Sequence, residues 1–367
     1  VDIRDVGKRV TRRILGLKEK TVDGGEVMKN YFKYFLSICF IIGLCLHSEF
    51  VFAESLKGNA LKQGDCIGIV APASGIEDMN IADAINKLQN WGYKVKLSSN
   101  LYQQSGYLAG SDQMRAEDLN NFFADDEVDA ILCLRGGYGS GRILDLLNYE
   151  MIKQHPKMVI GYSDITALHM ALIKKADLVP VHGAMVIDIN DNGYNYTDNQ
   201  LKLGMANESL GMNNEFVLPS NHKLKVLKEG YAKGKIIGGN LSVLASLSGS
   251  EYQPNGENCI LFIEEVSEDS YVIDRCFQQL WQSGVLKQVK GLIIGNMRRC
   301  EPTEPTQFDY SVMQVIKQYV DKANIPVVYD MPVGHGAING FLPLNVEITL
   351  DANTANPQII FNESYVK

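Results

Sequence analysis

Apolar and polar positions along this chain follow two periods in turn. The run Asp65–Ala71 (DCIGIVA) is almost continuously apolar and ends in the turn Pro72-Ala73-Ser74-Gly75; Ile81, Ala84, Ile85 and Leu88 then recur at helical spacing until Gly92. Tyr93–Leu97 alternates as a second strand, and a helix capped by Asp112 presents Met114, Leu119, Phe122 and Phe123 on one face. Ala130–Leu134 (AILCL) reads as a strand covered on both sides, and the glycine turn Arg135-Gly136-Gly137-Tyr138-Gly139 follows it. A helix over Ile143–Leu147, a strand over Met158–Ile160, a helix from Thr166 and a strand over Leu178–Val181 continue the series. This strand–helix alternation predicts a parallel α/β sheet over residues 54–186, with functional loops at the strand C-termini.

The rhythm breaks near Val186. Residues 187–230 are rich in Asn, Asp, Gly and Lys and read as a linker. Over residues 231–367 the pattern resumes with Gly234–Gly239, a helix over Leu241–Leu247, a strand over Cys259–Ile263 and a helix over Tyr271–Ser283. Strands at Leu292–Ile294, Pro326–Tyr329, Val346–Leu350 and Gln358–Phe361, with a helix at Val312–Tyr319, complete a second domain.

The first 53 residues stand apart. Lys29 and Lys33 precede the apolar run Phe35–Leu46, and Val51-Phe52-Ala53 offers a small-residue cleavage site, the order of a secretory signal peptide at 28–53. The run is short for a membrane span, so contact with a membrane is expected only through this segment. Residues 1–27 precede Met28 and read as an over-extended start. The segment beyond Ala53 carries 26 basic against 37 acidic residues, and export to the periplasm or cell surface is the expectation. An acidic chain, with pI near 5.4 and no basic run interleaved with aromatics, is not expected to bind nucleic acid. Cys66, Cys133, Cys259, Cys276 and Cys300 are scattered without metal spacing and read as buried free thiols; no metal or organic cofactor is expected.

Three strand ends carry candidate chemistry. In Gly161-Tyr162-Ser163-Asp164 a serine sits where a strand turns into a helix, the place for an exposed nucleophile; capping of that helix by Ser163 or Asp164 is the plainer use. The glycine turn at Gly137 suits an oxyanion hole or serves only as a tight connection, and it lacks the spacing of a nucleotide site. Glu264 ends the apolar Cys259 run and can orient a histidine, whereas Glu268 and Asp269 read better as a solvated loop or helix cap. His335 lies between glycines in Met331-Pro-Val-Gly-His-Gly336, in a loop able to reach a nucleophile on another domain; His169 and His182 read as core or supporting positions.

These stretches resemble the LD-carboxypeptidases, serine peptidases that include muramoyl-tetrapeptide carboxypeptidases and microcin self-immunity peptidases. The matching runs are GDCIGIVAPAS (64–74), GYLAGSDQMRAEDLNNFFAD (106–125), ILCLRGGYGSGRILDLLNY (131–149), GYSDITALH (161–169), GKIIGGNLSVL (234–244), LFIEEVSEDSYVIDRCFQQL (261–280) and MPVGHG (331–336). The resemblance implies an α/β N-terminal domain, a smaller β-rich C-terminal domain, an active site between them and a homodimer. It further implies Ser163 as nucleophile, Glu264 as acid, His335 as base, and backbone N–H groups at Gly137 and Asp164 as the oxyanion hole. The implied substrate is a muropeptide or murein stem that loses its terminal D-alanine through an acyl-enzyme. An immunity-type activity on aminoacyl-nucleotide or related amides, and a non-catalytic two-domain solute-binding protein, are the competing expectations. Ser163 is expected to be inert unless the two domains are correctly apposed.

Overall fold

A computed structural model describes residues 54–76, 81–189, 195–211, 214–302, 304 and 306–367. The expected signal segment at 28–53 and over-extended start at 1–27 lie outside them. In chain order the first half contains β1 (Cys66–Val70), α1 (Ala82–Asn90), β2 (Lys94–Leu97), α2 (Asp112–Ala124), β3 (Ala130–Cys133), α3 (Tyr149–Gln154), β4 (Met158–Gly161), α4 (Thr166–Ala176) and β5 (Val181–His182). Then come α5 (Tyr196–Met205), β6 (Lys225–Lys228), β7 (Gly230–Asn240), α6 (Leu241–Ser246), β8 (Cys259–Val266), α7 (Ser270–Gln282), α8 (Val285–Gln288) and β9 (Gly291–Arg298). The series closes with α9 (Val312–Ala323), β10 (Val327–Tyr329), β11 (Leu342–Pro343), β12 (Glu347–Ala352) and β13 (Gln358–Phe361).

Two sheets result. The first has the order β11-β5-β4-β3-β1-β2 and is parallel from β5 to β2. Its central strands β1, β3 and β4 are buried along their whole length, as continuous apolar runs require, and β2, on the edge, carries Lys94 and Lys96. The second sheet has the order β13-β12-β7-β8-β9-β10-β6, with β7, β8, β9 and β10 parallel and the outer strands antiparallel. One apolar core runs through both sheets. The strand order 4-3-1-2 and the C-terminal ends of β4 and β8 place the candidate loops together, as expected for a mixed α/β chain.

Several expectations shift. The side chain capping α2 is Ser111, whose Oγ accepts the Met114 N–H at 3.2 Å; Asp112 is the first helical residue and instead pairs with Arg115 and Arg142. The helix expected at Ile143–Leu147 is two short 3₁₀ turns, Ser140–Arg142 and Leu144–Leu146, and α3 follows them under an Asn148 cap. The expected strand at Leu178–Val181 pairs within the sheet only from Val181, Leu178 forming one bridge with Leu56. Within 187–230, α5 buries Leu201 and Met205, and β6 pairs with β10 as the edge of the second sheet. The cysteines Cys66, Cys133, Cys259, Cys276 and Cys300 are free and buried, as expected, and desolvation pushes the Cys276 thiol up to about 12.

Candidate active site

Ser163 stands at the end of β4, where the chain leaves the sheet through a 3₁₀ turn, Ser163–Ile165, into α4. Its φ is +64°, a left-handed conformation that costs a non-glycine residue about 1 kcal/mol or more. No side chain caps either the turn or α4, so the capping use of Ser163 and Asp164 does not hold. The Asp164 carboxylate instead accepts the Ser140 N–H at 2.8 Å, and the Ser140 hydroxyl donates to the Asp164 carbonyl. These bonds staple the turn after β4 to the loop after β3. Burial raises the Asp164 pKa, against the lowering effect of the Ser140 bonds.

That neighbouring loop is the glycine turn. Gly136 abuts the serine: a Cβ there would lie 2.8 Å from Ser163 Cβ, 3.0 Å from its Oγ and 3.4 Å from the Asp164 nitrogen. Only a residue without a side chain lets the two loops meet. Gly137, with φ +109°, packs against Ser74, whose Oγ accepts the Tyr138 N–H at 3.1 Å. The buried Arg115 guanidinium donates to the Gly139 carbonyl at 2.8 Å and to the Pro72 carbonyl, joining the loops after β1 and β3. Arg115 was not singled out by spacing; a lone arginine among the polar residues of a helix gives no sign that it is buried.

The candidate acid, Glu264, lies on β8 of the second sheet, and the candidate base, His335, lies in the loop after β10. Glu264 and Glu265, successive residues near the end of β8, are both buried, like each residue from Cys259 up to them in this strand covered on both faces. The β8–β9 register shifts between Ile263 and Glu265, and the two carboxylates do different work. Glu264 Oε2 accepts from His335 Nδ1 at 2.6 Å and from the His335 backbone N–H at 3.2 Å. Glu265 accepts from Asn240 Nδ2 at 2.7 Å and from the N–H groups of Ser242 and Val266 at 2.8 Å, securing the start of α6; burial raises its pKa. Of the two, Glu264 is bonded to the histidine, and Glu265 is bonded to the start of α6. Gly334, with φ +107°, lets the His335 loop close over the carboxylate, since a Cβ there would stand 2.6 Å from Glu264 Oε2.

His335 is largely buried, its side chain 17% exposed. Desolvation is the largest single influence on it and pulls its pKa down, but the hydrogen bond and charge of Glu264, with the charges of Glu265 and Asp188, outweigh this and leave the pKa raised. Because Glu264 Oε2 accepts at Nδ1, that nitrogen carries the proton and Nε2 is left as the acceptor. No hydrogen bond joins Ser163 Oγ to another described residue, so the serine and the Glu264–His335 pair are assembled as two preformed halves. Among the contacts that join them are the following two. The Tyr162 ring packs edge-on to the His335 ring with centroids 4.8 Å apart, and Thr166 Oγ1, at the start of α4, accepts the Asn240 N–H from the end of β7 at 2.9 Å.

His169 and His182 are fully buried, and all four of their ring nitrogens lack a hydrogen-bond partner. Desolvation holds both neutral, lowering the His169 pKa to about 3. Glu268 is partly buried, and Asp269 stands at the start of α7 without a side-chain capping bond. Among the described residues no group of three His, Cys, Asp or Glu side chains could hold a metal ion.

The N-terminal domain of LD-carboxypeptidases matches residues 67–183 and their C-terminal domain residues 233–350. A probable murein peptide carboxypeptidase of Bacillus subtilis is 36% identical over 83% of this chain and 94% of its own length. The microcin C7 self-immunity protein MccF of Escherichia coli is 28% identical over 86% of this chain and 98% of its own, and a solved structure of MccF superposes with a TM-score of 0.76. The structure of a muramoyltetrapeptide carboxypeptidase from Oxalobacter formigenes, 26% identical, covers 82% of this chain and 100% of its own with a TM-score of 0.71. Matched in both domains and along nearly the whole length of its relatives, the chain belongs to the LD-carboxypeptidase family.

Proposed function

We propose that the protein is an exported serine LD-carboxypeptidase that removes the terminal D-alanine from murein tetrapeptide stems. The observation that carries this reading is the buried Glu264–His335 pair, bonded at 2.6 Å, with the His335 ring packed 4.8 Å from that of Tyr162, the residue before a serine held at φ +64° at a strand end. In the proposed reaction Ser163 Oγ attacks the carbonyl of the bond to D-alanine while His335 Nε2 takes its proton, and Glu264 steadies the resulting imidazolium. Backbone N–H groups of the glycine turn, at Gly137, and of Asp164 stabilise the oxyanion. His335 then protonates the departing amine of D-alanine, and water, activated by the same imidazole, hydrolyses the acyl-enzyme. The site is in the periplasm or at the cell surface, on intact or freshly cleaved stems, and the working unit is a homodimer.

Incubating the purified chain with a muropeptide tetrapeptide and measuring D-alanine release tests the reading; the parent protein releasing none would overturn it. A second reading is favoured by the full-length match to MccF, an activity on aminoacyl-nucleotide amides. Offering both substrates to one preparation decides between them. Failure of a serine-directed phosphonate to label Ser163 would favour the non-catalytic solute-binding alternative over both.

A further inference from the structure

We propose that Tyr162 is a positioning residue for His335, anchored by Asp188, whose negative charge also acts on the imidazole, so that the turn carrying Ser163 also sets the orientation of the base. This inference rests on the reading of Ser163 and His335 as nucleophile and base. A hydrogen bond at Nδ1 fixes where the imidazole sits but leaves it free to rock about the Nδ1···Oε2 line. Both bonds that hold His335 to Glu264 end on the same oxygen, Oε2, so neither resists that motion. The Tyr162 ring does, packed edge-on at 4.8 Å with an interplanar angle of 61°.

The brace is itself held. Tyr162 is buried, its hydroxyl donates to Asp188 Oδ1 at 3.2 Å, and Asp188 Oδ2 accepts the Met185 N–H at 2.8 Å in the turn after β5. The Tyr162 ring also lies 5.8 Å from the ring of His182, which in turn packs on Phe262 at 5.0 Å. Tyr162 immediately precedes Ser163. The nucleophile and the brace on its base are therefore separated by a single peptide unit, the shortest link available between a serine on one sheet and a histidine supported by the other.

The charged and titratable groups around this imidazole are Glu264 and Glu265 on β8, Asp188, the buried neutral His182 on β5, and Arg298 on β9, whose guanidinium donates to the His335 carbonyl at 3.3 Å. Asp188 adds a negative charge that favours the imidazolium, and its loss is expected to lower the His335 pKa.

The test compares Tyr162→Leu, Tyr162→Phe and Asp188→Asn in the full chain by kinetics and by an NMR titration of the His335 imidazole, assigned by its disappearance in His335→Gln. Tyr162→Leu is expected to lower kcat by about 10- to 100-fold with KM unchanged, the effect of a misplaced catalytic group. Tyr162→Phe keeps the ring and loses one hydrogen bond, and should restore kcat to within about two- to tenfold of the parent. Asp188→Asn should move the His335 titration, and with it the acid limb of kcat/KM, to lower pH. A Tyr162→Leu protein with the parent kcat, or an Asp188→Asn protein with an unmoved titration, overturns the proposal. If Tyr162→Leu does not fold, the near-isosteric Tyr162→Phe and Asp188→Asn decide it. The titration needs no substrate, so absence of D-alanine release from the parent would sink the substrate reading without touching this result.

Discussion

The two halves of the site are held by different means. Around Ser163 the work is done by backbone: a left-handed φ, a glycine pressed against the serine and the Ser140–Asp164 bonds between adjacent loops of one sheet. Around His335 it is done by side-chain electrostatics, a fully buried glutamate and an imidazole whose pKa is raised against the pull of desolvation. The first half stores conformational strain and the second stores charge in a dry place. A change in either is expected to silence the site, but with opposite signatures in stability and pH dependence.

The sharpest break is at the serine. Ser163→Ala should lower kcat/KM for D-alanine release by about 10⁴-fold or more. Ser163→Gly should be equally inactive yet melt at a higher temperature, since glycine adopts φ +64° without penalty, a gain of about 1 kcal/mol. Next in size, Glu264→Gln should cost about 10³- to 10⁴-fold in kcat and move the acid limb of kcat/KM to lower pH, because the largest influence raising the His335 pKa is gone. In the parent that limb should lie above pH 6.5.

A smaller effect is expected from Gly136→Ala, which drives a methyl group against Ser163 and should reduce kcat by about 10²-fold through misplacement. Labelling by a phosphonate should slow in parallel. A change of pH separates the histidines by the sign of their linkage. His335, with a raised pKa, adds stability that is complete below pH 6.5 and is lost as pH rises through its folded value. His169 and His182, with lowered values, do the reverse: their contribution is present above pH 6.5 and is lost as pH falls, for His169 down to about 3. Chemical denaturation between pH 6.5 and 4 should show this as a loss of up to about 1.4 kcal/mol per pH unit for each histidine, and His169→Leu should flatten it.

The same division explains what could be read in the residues alone. Strands β1, β3 and β4 are continuous apolar runs, and the Ser163 turn follows one of them directly, so local pattern sufficed. Glu264 and His335 could be nominated from their strand-end and glycine-flanked settings, but their union over 71 residues of chain is tertiary. Tyr162, Asp188 and Arg115 carry no such signal, because nothing in a tyrosine, an aspartate or an arginine announces burial; each is placed by partners distant in sequence. In 187–230 polar composition concealed α5, whose few apolar residues Leu201 and Met205 face inward, and β6, a short edge strand that needs only β10 beside it. The strand β11 is two residues long and contains a proline, below any periodic signal.

That short strand has a consequence for how the protein comes into being. Leu342 and Pro343 lie antiparallel to His182 and Val181, so the outer row of the first sheet is laid down by residues far toward the chain's end. Residues 363–367 reinforce the closure, with the Lys367 N–H bonded to the Gly58 carbonyl at 3.0 Å and Lys57 paired to Glu363 at 2.9 Å. A ribosome that has finished the serine's own domain has therefore not yet supplied its last strand. The nascent polypeptide carries an open β5 edge until Leu342 and Pro343 have been made, so the first sheet cannot be completed before most of the second has been synthesised.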